Sequence, residues 1–224
     1  MVNETQASFH PPRERIIKAF MALLAEKPIE RIDLAEIAKR AEVSLADLRG
    51  EFATTLAILA AHMKETDRAV LRGGEGDMAQ EPPRERLFDV LMRRLEAHAP
   101  HREALRSLLR SAARNPPLAV ALNGLAVQSQ QWMLAAAAIP SSGPKGMLQA
   151  QGLALLYASV LRTWLNDTDP GLARTMAALD NALARGQRWS SLLDDVLSVP
   201  SRLCPTRTRR RTRRDDAGDE TVAA

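Results

Sequence analysis

"IAKRAEVSLADLRGEF", residues 37–52, places apolar or small side chains at Ile37, Ala38, Ala41, Val43, Leu48 and Phe52 and polar ones between them. Those offsets suit two short helices crossing at a steep angle around a tight turn, with Ala38 small enough to sit at the crossing. Ser44 is followed three residues later by Asp47, the spacing of a capping box at the start of the second helix. Ser44, Leu45, Ala46 and Arg49 then lie on its outer face, where they are placed to meet double-stranded DNA in the major groove. Lys39 and Arg40 on the preceding helix are candidates for phosphate contacts, as are Thr54 and Thr55 just beyond the motif. The bland reading of the same positions is a solvated helix pair, and Asp47 and Glu51 bring negative charge that opposes a polyanion.

Upstream, "RERIIKAFMALLAEK" (13–27) puts Ile16, Ile17, Phe20, Leu23 and Leu24 on one helical face, and Pro28 breaks it. Asp33 and Glu36 form an N-capping pair for the next helix. After Phe52, Thr54 or Thr55 opens a fourth helix with an apolar stripe of Leu56, Leu59, Met63 and Val70. "RGGEGDMAQEPP" (72–83) is rich in glycine, proline and acid and marks a boundary between two domains. Five further stretches of helical periodicity follow, separated by prolines. With 46% hydrophobic residues and only 4% aromatics, and with Ala and Leu supplying most of the apolar content, the expected fold is all-α.

In this second region Met92, Leu95, Gln128, Trp132, Met133 and Tyr157 are candidates to line a pocket for a small hydrophobic ligand, because gaps between bundle helices are common ligand sites and methionine adapts to irregular guests. The competing reading is plain core packing. Leu153, Leu156, Val160, Leu161 and Trp164 form a wide apolar face on one helix, and Met176, Leu179 and Leu183 belong to a stripe on the next. Paired with the same helices of a second copy they would make a homodimer; otherwise they serve the core of a single chain.

The formal charge of +4 points less strongly to nucleic acid than it first suggests. Seven arginines at 202–214 and four acids after them carry three of those four charges, leaving the rest of the chain almost neutral. That terminal segment holds too little apolar surface to fold alone. No stretch is long and apolar enough for a transmembrane segment, no signal-peptide core precedes residue 16, and Cys204 has no partner for a disulfide, so a cytoplasmic location is expected. Nothing calls for a cofactor, metal or enzymatic role: His98 and His101 are interrupted by Pro100, and the glycines of "RGGEGD" lack the Lys-Ser/Thr of a phosphate loop.

The first helix, "IDLAEIAKRAEVSLADLRGEF" (32–52), the long fourth helix and the divergent bundle together resemble the TetR family of transcriptional regulators over residues 13–200. The resemblance implies a dimer that binds operator DNA through the third helix and responds to a ligand held in the bundle. Three positions depart from the pattern: Glu42 stands where the family usually has a turn glycine, Arg49 where an aromatic follows the leucine, and Thr55 where a phosphate-contacting lysine opens the fourth helix. Segments of the bundle also resemble the ubiquinone-biosynthesis accessory lipid-binding proteins, which share this fold and imply the alternative of a lipid-binding partner without DNA binding. The expected organisation is a flexible arm at 1–12, a DNA-binding domain at 13–72, a ligand-binding and dimerisation domain at 84–200 and a disordered tail at 201–224.

Overall fold

The computed structural model describes residues 11–73 and 80–198, and every regular element among them is helical. The expected arm at 1–12, the boundary near 73–83 and the tail at 201–224 fall wholly or largely outside these residues. In chain order the helices are α1 (Pro12–Glu26), α2 (Leu34–Arg40), α3 (Leu45–Glu51), α4 (Thr55–Arg72), α5 (Pro83–His98), α6 (Arg102–Ala112), α7 (Pro116–Ala136), α8 (Gly143–Asn166) and α9 (Ala173–Ser198). The chain divides into two units at Gln187 and Arg188; the second is described only as the helical backbone that ends α9.

Local chemistry sets the helix ends. Pro12 begins α1, where its missing N–H costs nothing, and Pro28 follows its end. Asp33 caps α2 by accepting the Glu36 N–H at 2.7 Å. The expected return contact from Glu36 is not made, because its carboxylate is taken by the Lys27 ammonium. Asn115 caps α7 by accepting the Leu118 N–H at 3.1 Å, and Pro116 and Pro117 open that helix rather than merely separating it from α6.

Two hydrophobic clusters organise the first unit. Ile16, Phe20 and Leu24 of α1 pack with Ile37 and Ala38 of α2, Leu48 of α3, and Ile58 and Leu59 of α4. Each large side chain buried this fully contributes about 1.5–3 kcal/mol before conformational entropy is charged against it. Ala104 and Leu108 of α6 belong to this same cluster, whereas Leu105 of the same helix enters the second one. Ser107 Oγ of α6 also donates to the Lys27 carbonyl at 3.2 Å, and Ser111 Oγ to the Glu30 carboxylate at 2.9 Å. α6 is therefore a wall common to both clusters. The second cluster is built from Leu91 and Leu95 of α5, Met133 of α7, Val160 and Trp164 of α8 and Leu179 of α9.

Candidate functional site

The turn between α2 and α3 closes on two backbone bonds. The Val43 N–H donates to the Ala38 carbonyl at 3.0 Å and the Glu42 N–H to the Lys39 carbonyl at 3.3 Å, the paired pattern that satisfies the end of a helix. It requires a left-handed residue at Glu42, whose φ is 53°. The Arg15 guanidinium donates to the Glu42 carbonyl at 3.1 Å and so fastens the turn to α1.

Helix α3 starts with a complete capping box. Ser44 Oγ accepts the Asp47 N–H at 3.0 Å, and the Asp47 carboxylate accepts from the Ser44 N–H at 3.2 Å and from its hydroxyl at 2.7 Å. Those bonds hold the Asp47 carboxyl below the usual carboxylate range and keep it charged at the helix N-terminus, where negative charge is favourable. Leu48 and Phe52 turn inward, fixing the roll of α3. Leu45 is left 57% exposed, and Ala46, Arg49 and Gly50 are exposed beside it. Among the described residues nothing lies within 4 Å of the Cβ position of Gly50. At the other end of the helix, Arg13 stacks 4.7 Å over the Phe52 ring and pairs with Glu51 at 3.4 Å, which offsets the charge of that acid.

The eight residues expected to face DNA are not equivalent. Lys39, Leu45, Ala46 and Arg49 point outward. Arg40 is exposed too, but both of its terminal nitrogens are held by Glu26, at 2.9 and 2.6 Å. The Ser44 hydroxyl is committed to the capping box, and Thr54 Oγ accepts the Ala57 N–H at 3.1 Å to cap α4. Thr55, the first residue of α4, is half-buried.

The six expected pocket residues separate. Leu95 and Met133 are core, and Met92 lines a shallow depression of about 460 Å³ between α5 and the start of α9. Gln128 and Trp132 line a different groove, about 610 Å³, between α4 and α7. Tyr157 is buried behind Arg94, which lies 5.5 Å from its ring, and desolvation raises its phenol well above the ordinary value. Arg94 in turn forms an ion pair with Asp67, which also accepts from Ser129 Oγ at 2.7 Å. Next to this network His62 meets His101 edge to face at 4.7 Å between ring centres. Sequence reasoning passed over the network entirely, although its trace is visible in His62, Thr66 and Asp67 interrupting the apolar side of α4.

The expected dimer-face residues divide. Leu153, Val160, Leu161, Trp164, Leu179 and Leu183 are all buried within the single chain. Only Leu156, half-buried, and Met176, exposed, keep contact with the outside. The apolar side chains that α8 does present outward are Met147, Leu148 and Leu155.

No protein-family model and no curated protein matches this chain. Solved structures do match. The TetR transcriptional regulator from Nitrosomonas europaea ATCC 19718 superposes with a TM-score of 0.61 at 22% identity, covering 80% of this chain and 99% of that one. This chain has the fold of the TetR-family regulators. A TetR transcriptional regulator from Rhodococcus sp. RHA1 gives a TM-score of 0.55 at 21% identity, over 78% of this chain and 95% of that one. A TetR-family regulator from Streptomyces coelicolor gives 0.53 at 17% identity, over 85% and 89%. α2 and α3, joined by the turn at Glu42, have the form of a helix-turn-helix. No described helix is long and apolar enough to cross a membrane.

Proposed function

We propose that this chain is a divergent TetR-family transcriptional regulator that binds operator DNA through α3 as a homodimer and is modulated by a small ligand held against the bundle. The observation that carries the reading is the preserved recognition face: α3 is capped, pinned inward by Leu48 and Phe52, and left open over Leu45, Ala46, Arg49 and Gly50. A helix held by its neighbours on one side and open on the other is what major-groove reading needs. Arg49 and Lys39 supply exposed cations for phosphate or base edges. The departure at Glu42 is accommodated by the fastened turn, and the opposing charge of Glu51 is offset by Arg13. A twofold dimer would set two such helices on successive turns of the duplex, with Met147, Leu148 and Leu155 the exposed apolar residues of α8 available to it.

The test is capture of fragmented genomic DNA by the full chain at about physiological salt, where loose electrostatic binding is weakened. The expected result is enrichment of a few related, nearly palindromic sites that Arg49→Ala loses. The arginine-rich tail is present in both proteins, so its binding appears equally in each and cannot imitate this difference. Fragments recovered without a common sequence, or unchanged in Arg49→Ala, would remove the DNA-binding reading.

A further inference from the structure

The groove between α4 and α7 has a composition that selects its occupant. Its apolar wall is formed by Met63 and Leu71 from α4 and Leu125 and Trp132 from α7, residues spaced so that each helix turns one side toward the gap. Trp132 is 56% exposed, although its helix neighbours Met133 and Leu134 are core. Lys64 and Arg68, one turn apart on α4, also line the groove. Among the described residues neither makes a salt bridge or hydrogen bond, and Arg68 acts on Glu65 only through space. The two acids in the groove are occupied elsewhere: Asp67 by Arg94 and Ser129, and Glu51 by Arg13. What is left is an apolar trough with two uncommitted cations.

Its extent is also informative. From Ala57 to Leu71 the groove follows α4 for about 21 Å at the helical rise of about 1.5 Å per residue. A volume of about 610 Å³ lies within the range of small-molecule sites. Its lower end is closed by Glu51 and Phe52 at the end of α3 and by Arg13 of α1, which is held against them.

We infer that this groove binds a long-chain fatty acid, with the carboxylate on Lys64 and Arg68 and the alkyl chain along Met63, Leu71, Leu125 and Trp132. The charge complementarity selects an anion over a neutral or cationic amphiphile of equal length, and an apolar trough that runs along α4 suits an extended chain. Because the trough ends on the Arg13–Phe52 contact, an occupant touches the base of the recognition helix directly, and a ligand that prefers a shifted α3 lowers DNA affinity by that preference. This regulatory consequence rests on the DNA-binding reading above; binding itself does not.

The test titrates the full chain with myristate, tetradecanol and tetradecyltrimethylammonium, following tryptophan emission and heat. Myristate is expected to bind with an emission change that Trp132→Phe removes, and the two analogues at least about tenfold more weakly, the loss expected for one charge-assisted hydrogen bond. Lys64→Gln with Arg68→Gln should weaken myristate by a similar factor, and Ala60→Trp should block the groove while thermal unfolding shows the protein still folded. Tail arginines are present in every arm and cannot produce these differences. Absence of myristate binding, or equal binding by the wild type and both groove variants, overturns the site. In a parallel arm myristate should release captured DNA; if myristate binds and DNA affinity is unchanged, the regulatory consequence falls. If no specific DNA is captured even without ligand, the DNA-binding reading fails, while the emission titration still decides the site.

Discussion

Arg94 of α5 is paired with Asp67 of α4 inside the bundle, with 2% and 10% of the two side chains exposed. A pair this deep is held by mutual dependence more than by net attraction, since both ions have given up water. Ser129 supplies a second bond to the carboxylate, and among the described residues the Arg94 Nε has no hydrogen-bond partner. Asp67→Ala should therefore destabilise the protein by about 3–5 kcal/mol, because it strands a buried guanidinium. Replacing both, as Asp67→Leu with Arg94→Met, should recover most of that loss. Denaturant unfolding of the two variants measures the difference, and equal losses would show that the pair does not act as a unit.

The histidines beside this pair give a pH dependence. Burial, with help from His101 and Arg94, lowers His62 to about 4, and burial with Arg94, His62 and His101 lowers His98 well below the ordinary histidine value. Both are thus neutral when folded and protonated when unfolded over the interval between their folded values and about 6.5. The unfolded state binds more protons there, so stability rises with pH across the interval and is lost on acidification. The slope should be about 1.4 kcal/mol per pH unit for each histidine that stays neutral. Unfolding free energies between about pH 4.5 and 6.5 should fall with acid in the wild type and less steeply in His62→Asn. Identical slopes would mean that His62 is not the source.

Glu42 is a non-glycine residue in left-handed conformation, with φ 53°. Such a conformation costs an L-residue about 1–2 kcal/mol, part of which glycine returns through its greater freedom when unfolded. Its main-chain carbonyl, the acceptor for Arg15, survives any substitution. Glu42→Gly should raise stability by up to about 1 kcal/mol, read as a higher unfolding midpoint. A lower midpoint would show that the carboxylate makes a contribution larger than the backbone strain.

On DNA, the two arginines of the motif should behave differently. Arg49 is exposed, while Arg40 is gripped at both terminal nitrogens by Glu26. If Arg49 meets a phosphate, Arg49→Ala should reduce the slope of log affinity against log salt by about 1. Arg40→Ala should leave that slope nearly unchanged. A matched pair of salt titrations on a captured site decides, and a larger change for Arg40 would show that Glu26 releases it on binding.

How far the sequence could be read depends on the range of the interactions involved. Ala38, Leu48 and Phe52 report a local geometry, and their offsets within one short stretch sufficed to place the helix-turn-helix. The capping box at Ser44 was equally local. The Asp67 network was not, since its partners lie 27 and 62 residues away and such pairing leaves no periodic mark. The apolar stripes of α8 and α9 were legible as stripes, but periodicity cannot tell whether the cover is the same chain or another. Trp164 and Leu179 turned out to be covered from within. The groove was half visible: Gln128 and Trp132 were singled out, while Lys64 and Arg68 resembled ordinary surface charges until α7 was seen beside them.

Ala104 and Leu108 close the cluster around α1–α4 from a helix that lies beyond it in the chain, while Leu105 faces the other cluster. Cutting after Arg72 would therefore uncover part of the first cluster and leave the Ser107 and Ser111 contacts without donors. The α1–α4 region is not a detachable module, and grafting residues 13–72 onto another bundle would require α6 to travel with them. Divergence in such a chain is constrained jointly: a change on the inner side of α6 has to satisfy both the part that would touch DNA and the part that would hold a ligand.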